Sequence, residues 1–240
     1  MFRYKATLSY DGSFFKGFQK NTNVYTVELE LERVLGIVSK KPVKVYSSGR
    51  TDEGVHALAQ VVHFDLDIDF EEKKLLRVLN SLAVSAINFI SIKKVSKDFH
   101  ARYDAKKKAY IYKISFVKDP FKRNYEYYFP YKVSVSLLKE GAKIFLGKHD
   151  FKAFAKTTDK ETVREIFTFD IKEKKTGLTI LVIGNGFLHH QVRLMIGSLL
   201  EVGQEKMALL ELKRILDSKN NSLTNKLVPG TGLYLQKVYY

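Results

Sequence analysis

The apolar residues of this chain run through one plan twice, and that repeat limits the possible folds more than any other feature. Phe2 to Tyr10 alternates as a strand. From about Thr26, residues Val27, Leu31, Val34, Leu35 and Val38 recur at helical spacing, with Thr26 as the N-cap and Glu28 in the first turn. Val43 to Ser48 and Leu58 to Phe64 read as two more strands, separated by a glycine-bounded loop from Gly49 to Ala57. A helix over Glu71 to Leu82 follows from Leu75, Leu79 and Leu82 behind two acidic residues, and Ile87 to Val95 closes the set as a strand. The order is β-α-β-β-α-β.

The second stretch repeats it. Ala109 to Val117 alternates, with Tyr110, Tyr112, Ile114 and Phe116 on one face. A helix over about Ser136 to Phe145 is followed by a hairpin of Val163 to Glu173 and Leu178 to Ile183, turning at Lys175-Thr176-Gly177. Helices over about Leu188 to Val202 and Glu205 to Asp217 come next, and Leu233 to Tyr239 is the last strand. This order is the split βαβ, ferredoxin-like plan, an antiparallel sheet with both helices on one face. The chain is therefore expected to be α+β, with two such halves, 1–105 and 106–240, joined near Asp104 to Lys108 and leaving a cleft between them. A single unrepeated α+β domain is the alternative.

Composition narrows the function. The chain has 240 residues and no cysteine, which excludes a disulfide scaffold, a zinc ribbon and a thiol nucleophile. Its 41 Lys+Arg against 26 Asp+Glu leave a formal charge of +15, and aromatic residues make up 13%. Cations neutralise phosphates and aromatic faces stack bases, so the pairing suits a nucleic-acid partner held in a basic cleft; lysine-rich solvated surface is the plain alternative. No apolar run approaches the ~20 residues of a membrane helix, and the opening residues alternate like a strand, so a cytoplasmic protein without membrane contact is expected.

Chemistry concentrates in Ser47 to Ala57, SSGRTDEGVHA, where a cation, a hydroxyl and the carboxylate of Asp52 lie between two glycines in a loop joining strands. Residue by residue, Asp52 is either a turn-capping carboxylate or a reactive one. The string GRTDEGVHALAQVVHF resembles the catalytic signature of the TruA family of tRNA pseudouridine synthases. Further segments resemble that family in order: Tyr10-Asp11-Gly12 with Gly17-Phe18-Gln19, Phe99-His100-Ala101-Arg102, Lys108-Ala109-Tyr110-Ile111-Tyr112, Gly147-Lys148-His149-Asp150-Phe151, Gly186 to Arg193, and Gly232 to Leu235. Together they cover nearly the whole chain.

The resemblance implies isomerisation of uridine to pseudouridine at positions 38, 39 and 40 of the tRNA anticodon stem-loop, by a cytoplasmic homodimer without metal or cofactor. It makes Asp52 the catalytic carboxylate, able to add to the base, attack C1′ or take the C2′ proton. It makes Arg193 the guanidinium that holds Asp52 ionised from the other half, against the upward pKa shift that desolvation alone would cause. Tyr110 is the implied stacking partner of the uracil and a candidate for moving the C5 proton, and Arg50 the residue that fills the space left by the flipped base. Arg102 and the Lys106-Lys107-Lys108 run are candidates for the RNA path, Lys108 within the strand motif, or else solvated surface.

Thr51 and Gly54 are expected to shape the loop, and His56 to be packed or bonded to backbone. The doublet His189-His190, read as adjacent helical residues about 100° apart, makes a poor chelate. Two residues depart from the family pattern: Phe18 replaces a tryptophan and Glu53 a small residue, Glu53 being expected to point outward. A basic RNA-binding module without catalysis and a metal-dependent nuclease are the rival readings.

Overall fold

The computed structural model describes residues 1–156, 161–224 and 226–240, which cluster into two compact units, 1–106 with 234–240 and 107–233. In the first unit, β1 (Phe2–Tyr10), α1 (Val27–Ser39), β2 (Tyr46–Ser47), β3 (His56–Leu66), α2 (Glu72–Leu82) and β4 (Ile87–Val95) follow the expected order. β1 pairs antiparallel with both β3 and β4, and β2 pairs antiparallel with β3. Burial alternates along β1: Tyr4, Ala6, Leu8 and Tyr10 are buried, whereas Arg3, Lys5, Thr7 and Ser9 are partly exposed. One face of the strand therefore meets the core.

Local chemistry accounts for the helices. Thr26 Oγ1 accepts the Leu29 N–H at 3.3 Å as the α1 cap, and Lys40 leaves the helix in the left-handed region at φ 57°. Glu30, buried inside α1, is satisfied by two bonds of 2.7 Å from Arg33, one of 2.9 Å from the Tyr25 hydroxyl and one of 3.1 Å from the Val84 N–H. These hold its pKa below the usual carboxylate range although burial pushes the other way.

The second unit contains β5 (Lys107–Ser115), β6 (Tyr127–Tyr128), α3 (Val135–Ile144), β7 (Gly147–Asp150), β8 (Val163–Lys174), β9 (Gly177–Gly184), α4 (Gln191–Gly203) and α5 (Leu209–Ser218). Its sheet runs β5-β9-β8-β7 in antiparallel pairs, and β6 lies parallel to β5. The final strand, β10 (Leu233–Tyr239), pairs parallel with β3 through Tyr234 and Leu235 opposite His56 and Ala57. Pairing in the first unit is thus antiparallel except at this last strand.

Three expectations need correction. The strand over Val43 to Ser48 shortens to two residues; Val43 and Val45 alternate because they are buried, without ladder partners. The helix placed at Leu188 begins at Gln191, because His190 takes φ 65° and the Leu188 N–H bonds Gln191 Oε1 at 2.8 Å. The second helix of that pair begins at Leu209 rather than Glu205, which itself lies at φ 60°. β6 and β7 are further strands that the periodicity did not mark.

Candidate active site

The first unit builds a buried polar brace beneath the loop from Ser48 to Val55. Gln60 on β3 is fully buried; its Nε2 donates to the Gly49 carbonyl at 2.9 Å and to the Tyr10 hydroxyl at 3.4 Å, while its Oε1 accepts from Ser48 Oγ at 2.7 Å. The Tyr10 hydroxyl also shares a hydrogen bond of 2.8 Å with Thr51 Oγ1, in which either hydroxyl can donate. Burial pushes the Tyr10 phenol up to about 12, so it keeps its proton across the physiological range.

The backbone is tied from the same side. The Phe18 N–H donates to the Thr51 carbonyl at 2.9 Å, and Phe18 is itself buried against the Tyr10 ring, centroids 6.4 Å apart. Gly12 must lack a side chain, since a Cβ there would lie 2.0 Å from the Val55 carbonyl oxygen. Gly54 turns the loop at φ 74°, and the Val55 N–H closes it onto the Asp52 carbonyl at 3.2 Å. The departure at Phe18 therefore keeps the apolar support for the loop.

Asp52 follows Thr51 directly and is half-buried at this braced turn. Glu53 points away: it is exposed and forms an ion pair with Lys16 at 2.5 Å. His56 is buried, accepts the Gly12 N–H through Nδ1 at 3.1 Å, and stacks on Tyr234 with centroids 4.5 Å apart. It is thus the backbone-bonded histidine that the sequence suggested. Arg50 is exposed in the same loop as Asp52. Arg102 is also exposed, but on the segment after β4 that is tied to His63 by an Ala101 N–H to Nδ1 bond of 3.1 Å, well along β3 from the loop.

In the second unit, Tyr110 lies opposite Val182 of β9, 8% exposed, with its ring edge-on to Phe187 at 5.3 Å. Lys108 is two residues earlier, opposite Gly184 and half-buried. Tyr112, on the same strand face as Tyr110, is fully buried core and donates to the Pro229 carbonyl at 2.8 Å. Arg193, the third residue of α4, donates through Nε to the adjacent Val228 carbonyl at 2.7 Å. The structure thus sets Arg193 beside the Tyr112 phenol, whose pKa burial raises and the arginine charge partly lowers. Contact between α4 and the 226–228 segment is close: a Cβ on Gly197 would lie 1.8 Å from the Lys226 carbonyl oxygen.

His189 and His190 precede α4, their ring centroids 4.0 Å apart, so the helical offset inferred for them does not apply. Sequence reasoning quoted Tyr10 only as part of a motif and assigned no role to Ser48 or Gln60. The available signal was a polar glutamine at a position flanked by Val61, Val62 and Ala59, where a half-buried strand leaves room for a polar side chain only if it is bonded.

The family model described as tRNA pseudouridine synthase matches residues 6–104 and 142–240. A tRNA pseudouridine synthase A of Streptococcus thermophilus (strain CNRZ 1066) is 40% identical over 247 residues, covering all of both chains. That of Anoxybacillus flavithermus is 41% identical over 244 residues, covering 100% of this chain and 99% of its own. The tRNA pseudouridine synthase A 1 of Bacillus cereus is 39% identical over 245 residues with the same coverage. With the GRTD loop braced as described and matches running along the whole chain, this chain belongs to the TruA family of tRNA pseudouridine synthases, which are isomerases.

Proposed function

We propose that this chain converts uridine to pseudouridine at positions 38, 39 and 40 in the anticodon stem-loop of tRNA, with Asp52 as the acting carboxylate. The reaction breaks the N1–C1′ bond, turns the uracil while it stays bound, joins C5 to C1′, and moves the C5 proton off as N1 gains one. It requires a carboxylate held still against a base that must not escape. The observation that carries the reading is the brace of Tyr10, Thr51, Gln60 and Ser48 under the half-buried Asp52 loop, in a chain of this family.

In the same reading Arg193 keeps Asp52 ionised, Tyr110 stacks on the uracil, and Arg50 holds the target nucleotide out of the helix. Arg102 and Lys108 contact the RNA backbone. Two sequence halves, 1–105 and 106–240, are ferredoxin-like in this reading, with a basic RNA-binding cleft, and the chain acts as a cytoplasmic homodimer. The pairing of β1 with both β3 and β4, and of β2 with β3, supports the split βαβ plan, and the net charge of +15 supports a polyanionic substrate. Among the described residues no helix is long and apolar enough to cross a membrane.

The test is tritium release from C5-labelled tRNA. Asp52→Asn is expected to bind tRNA as the wild type does and to release nothing. Release at the wild-type rate by Asp52→Asn refutes the catalytic assignment, and release from tRNA in which positions 38 to 40 carry no uridine refutes the choice of target.

A further inference from the structure

A ladder of four rings passes through the first unit, with exposed tyrosines at both ends and a buried histidine between them. Tyr46 of β2 lies flat on His63 of β3, centroids 4.9 Å apart and planes at 14°. His63 meets His100 at 4.7 Å and 64°, and His100 carries Tyr103 at 4.3 Å and 34°. Of these, His63 is 2% exposed, Tyr46 44% and Tyr103 78%.

A single exposed tyrosine needs no explanation, but this one is supported from below. His63 Nδ1 accepts from the Ala101 N–H, His100 Nδ1 accepts from the N–H groups of Arg102 and Tyr103 at 3.2 and 3.3 Å, and the Tyr240 hydroxyl donates to the Ala101 carbonyl at 2.7 Å. The turn that presents Tyr103 is thus tied on both flanks. Burial, with the neighbouring His100 and Arg3, lowers the His63 pKa to about 4, so the imidazole in the middle of the ladder is neutral at physiological pH. Lys97, Arg102 and Lys106 are exposed on the same stretch of chain, and its two carboxylates accept hydrogen bonds: Asp98 from Ser96 Oγ at 3.3 Å and Asp104 from the His100 N–H at 2.9 Å.

A supported aromatic face in solvent, on a segment that carries exposed cations, has the chemistry for a nucleobase with its flanking phosphates. We propose that Tyr103, backed by His100, His63 and Tyr46, is a stacking platform for an unpaired base of the bound RNA. It is a separate subsite from the Asp52 loop: His63 lies seven residues beyond His56 on β3, roughly 23 Å along a strand. The proposal rests on tRNA being the substrate.

The chain has no tryptophan, so Tyr103→Trp introduces a unique fluorophore at the platform. Its emission is expected to be quenched by tRNA and unaffected by a blunt RNA duplex that offers phosphates but no unpaired base. Tyr103→Ala is expected to weaken tRNA binding roughly 5- to 150-fold, the range that base–aromatic stacking supports, with the loss in KM rather than kcat and with rescue by Tyr103→Phe. Unchanged tRNA affinity in Tyr103→Ala, or unquenched emission while filter binding shows the tRNA bound, overturns the platform. Wild-type protein that binds tRNA but releases no tritium counts against the proposed reaction alone, because the quenching result still decides the platform.

Discussion

Replacing Tyr10 with Phe removes one oxygen from the brace under the Asp52 loop and leaves the ring, with its packing on Phe15 and Phe18, in place. Gln60 Nε2 keeps its 2.9 Å bond to the Gly49 carbonyl and loses only the longer contact of 3.4 Å, so the main loss falls on Thr51 Oγ1, whose 2.8 Å partner disappears. Leaving a buried hydroxyl without its bond costs about 1–3 kcal/mol. For a chain of this size that is a fall in melting temperature of between about 2 and 12 °C, read by near-ultraviolet circular dichroism. Asp52 is the next residue, so the loosened loop is expected to lower turnover at saturating tRNA by about 10- to 100-fold while KM stays near the wild-type value. Thr51→Val removes the other half of the bond; in the double variant the two losses should overlap, because removing both partners strands neither. Wild-type melting and turnover in Tyr10→Phe, or strictly additive losses in the double variant, would refute the reasoning.

Two further perturbations test other parts of the structure. Arg193→Lys should lower kcat about 10- to 150-fold with folding intact, because one ammonium cannot both hold the Val228 carbonyl at 2.7 Å and present a planar guanidinium fork; wild-type turnover would remove Arg193 from the reaction. His63 is held neutral in the folded chain, with its pKa lowered from 6.5 to about 4, so below pH ~6.5 the unfolded chain takes up a proton that the folded one refuses. Stability present above that pH is then lost as pH falls toward 4, by roughly 3 kcal/mol in all. His63→Asn keeps an acceptor for the Ala101 N–H and should flatten this acid limb in urea titrations, and an unchanged limb would show that another group controls it.

Periodicity alone was enough for β1, β4 and β10, whose bounds coincide with the alternating runs, and for α1 and α2 to within a residue, with Thr26 as the cap. These elements bury one face over two turns or more, and a face meeting apolar surroundings leaves its period in the chain whatever lies opposite. β7 left no such trace: Gly147-Lys148-His149-Asp150 is polar throughout and becomes a strand only because β8 offers it a ladder. Val43 and Val45 show the converse, alternation without a strand, since burial and ladder bonding are separate conditions. The start of α4 escaped for a backbone reason, as His190 at φ 65° breaks an apolar pattern that runs on through it.

The candidate site divides along the same line. Asp52, Tyr110 and Arg193 were legible as residue types at family spacings, and the sequence by itself determined which groups are present, the family they belong to and the excess of positive charge. Only the tertiary structure brought Tyr10, Ser48, Thr51 and Gln60 into one bonded brace, seated Arg193 on the Val228 carbonyl, and brought the rings of Tyr46, His63, His100 and Tyr103 into successive contact. Periodicity reports whether a side chain meets apolar surroundings; it carries no record of which distant group, tens of residues away, supplies the hydrogen bond or the ring that holds it.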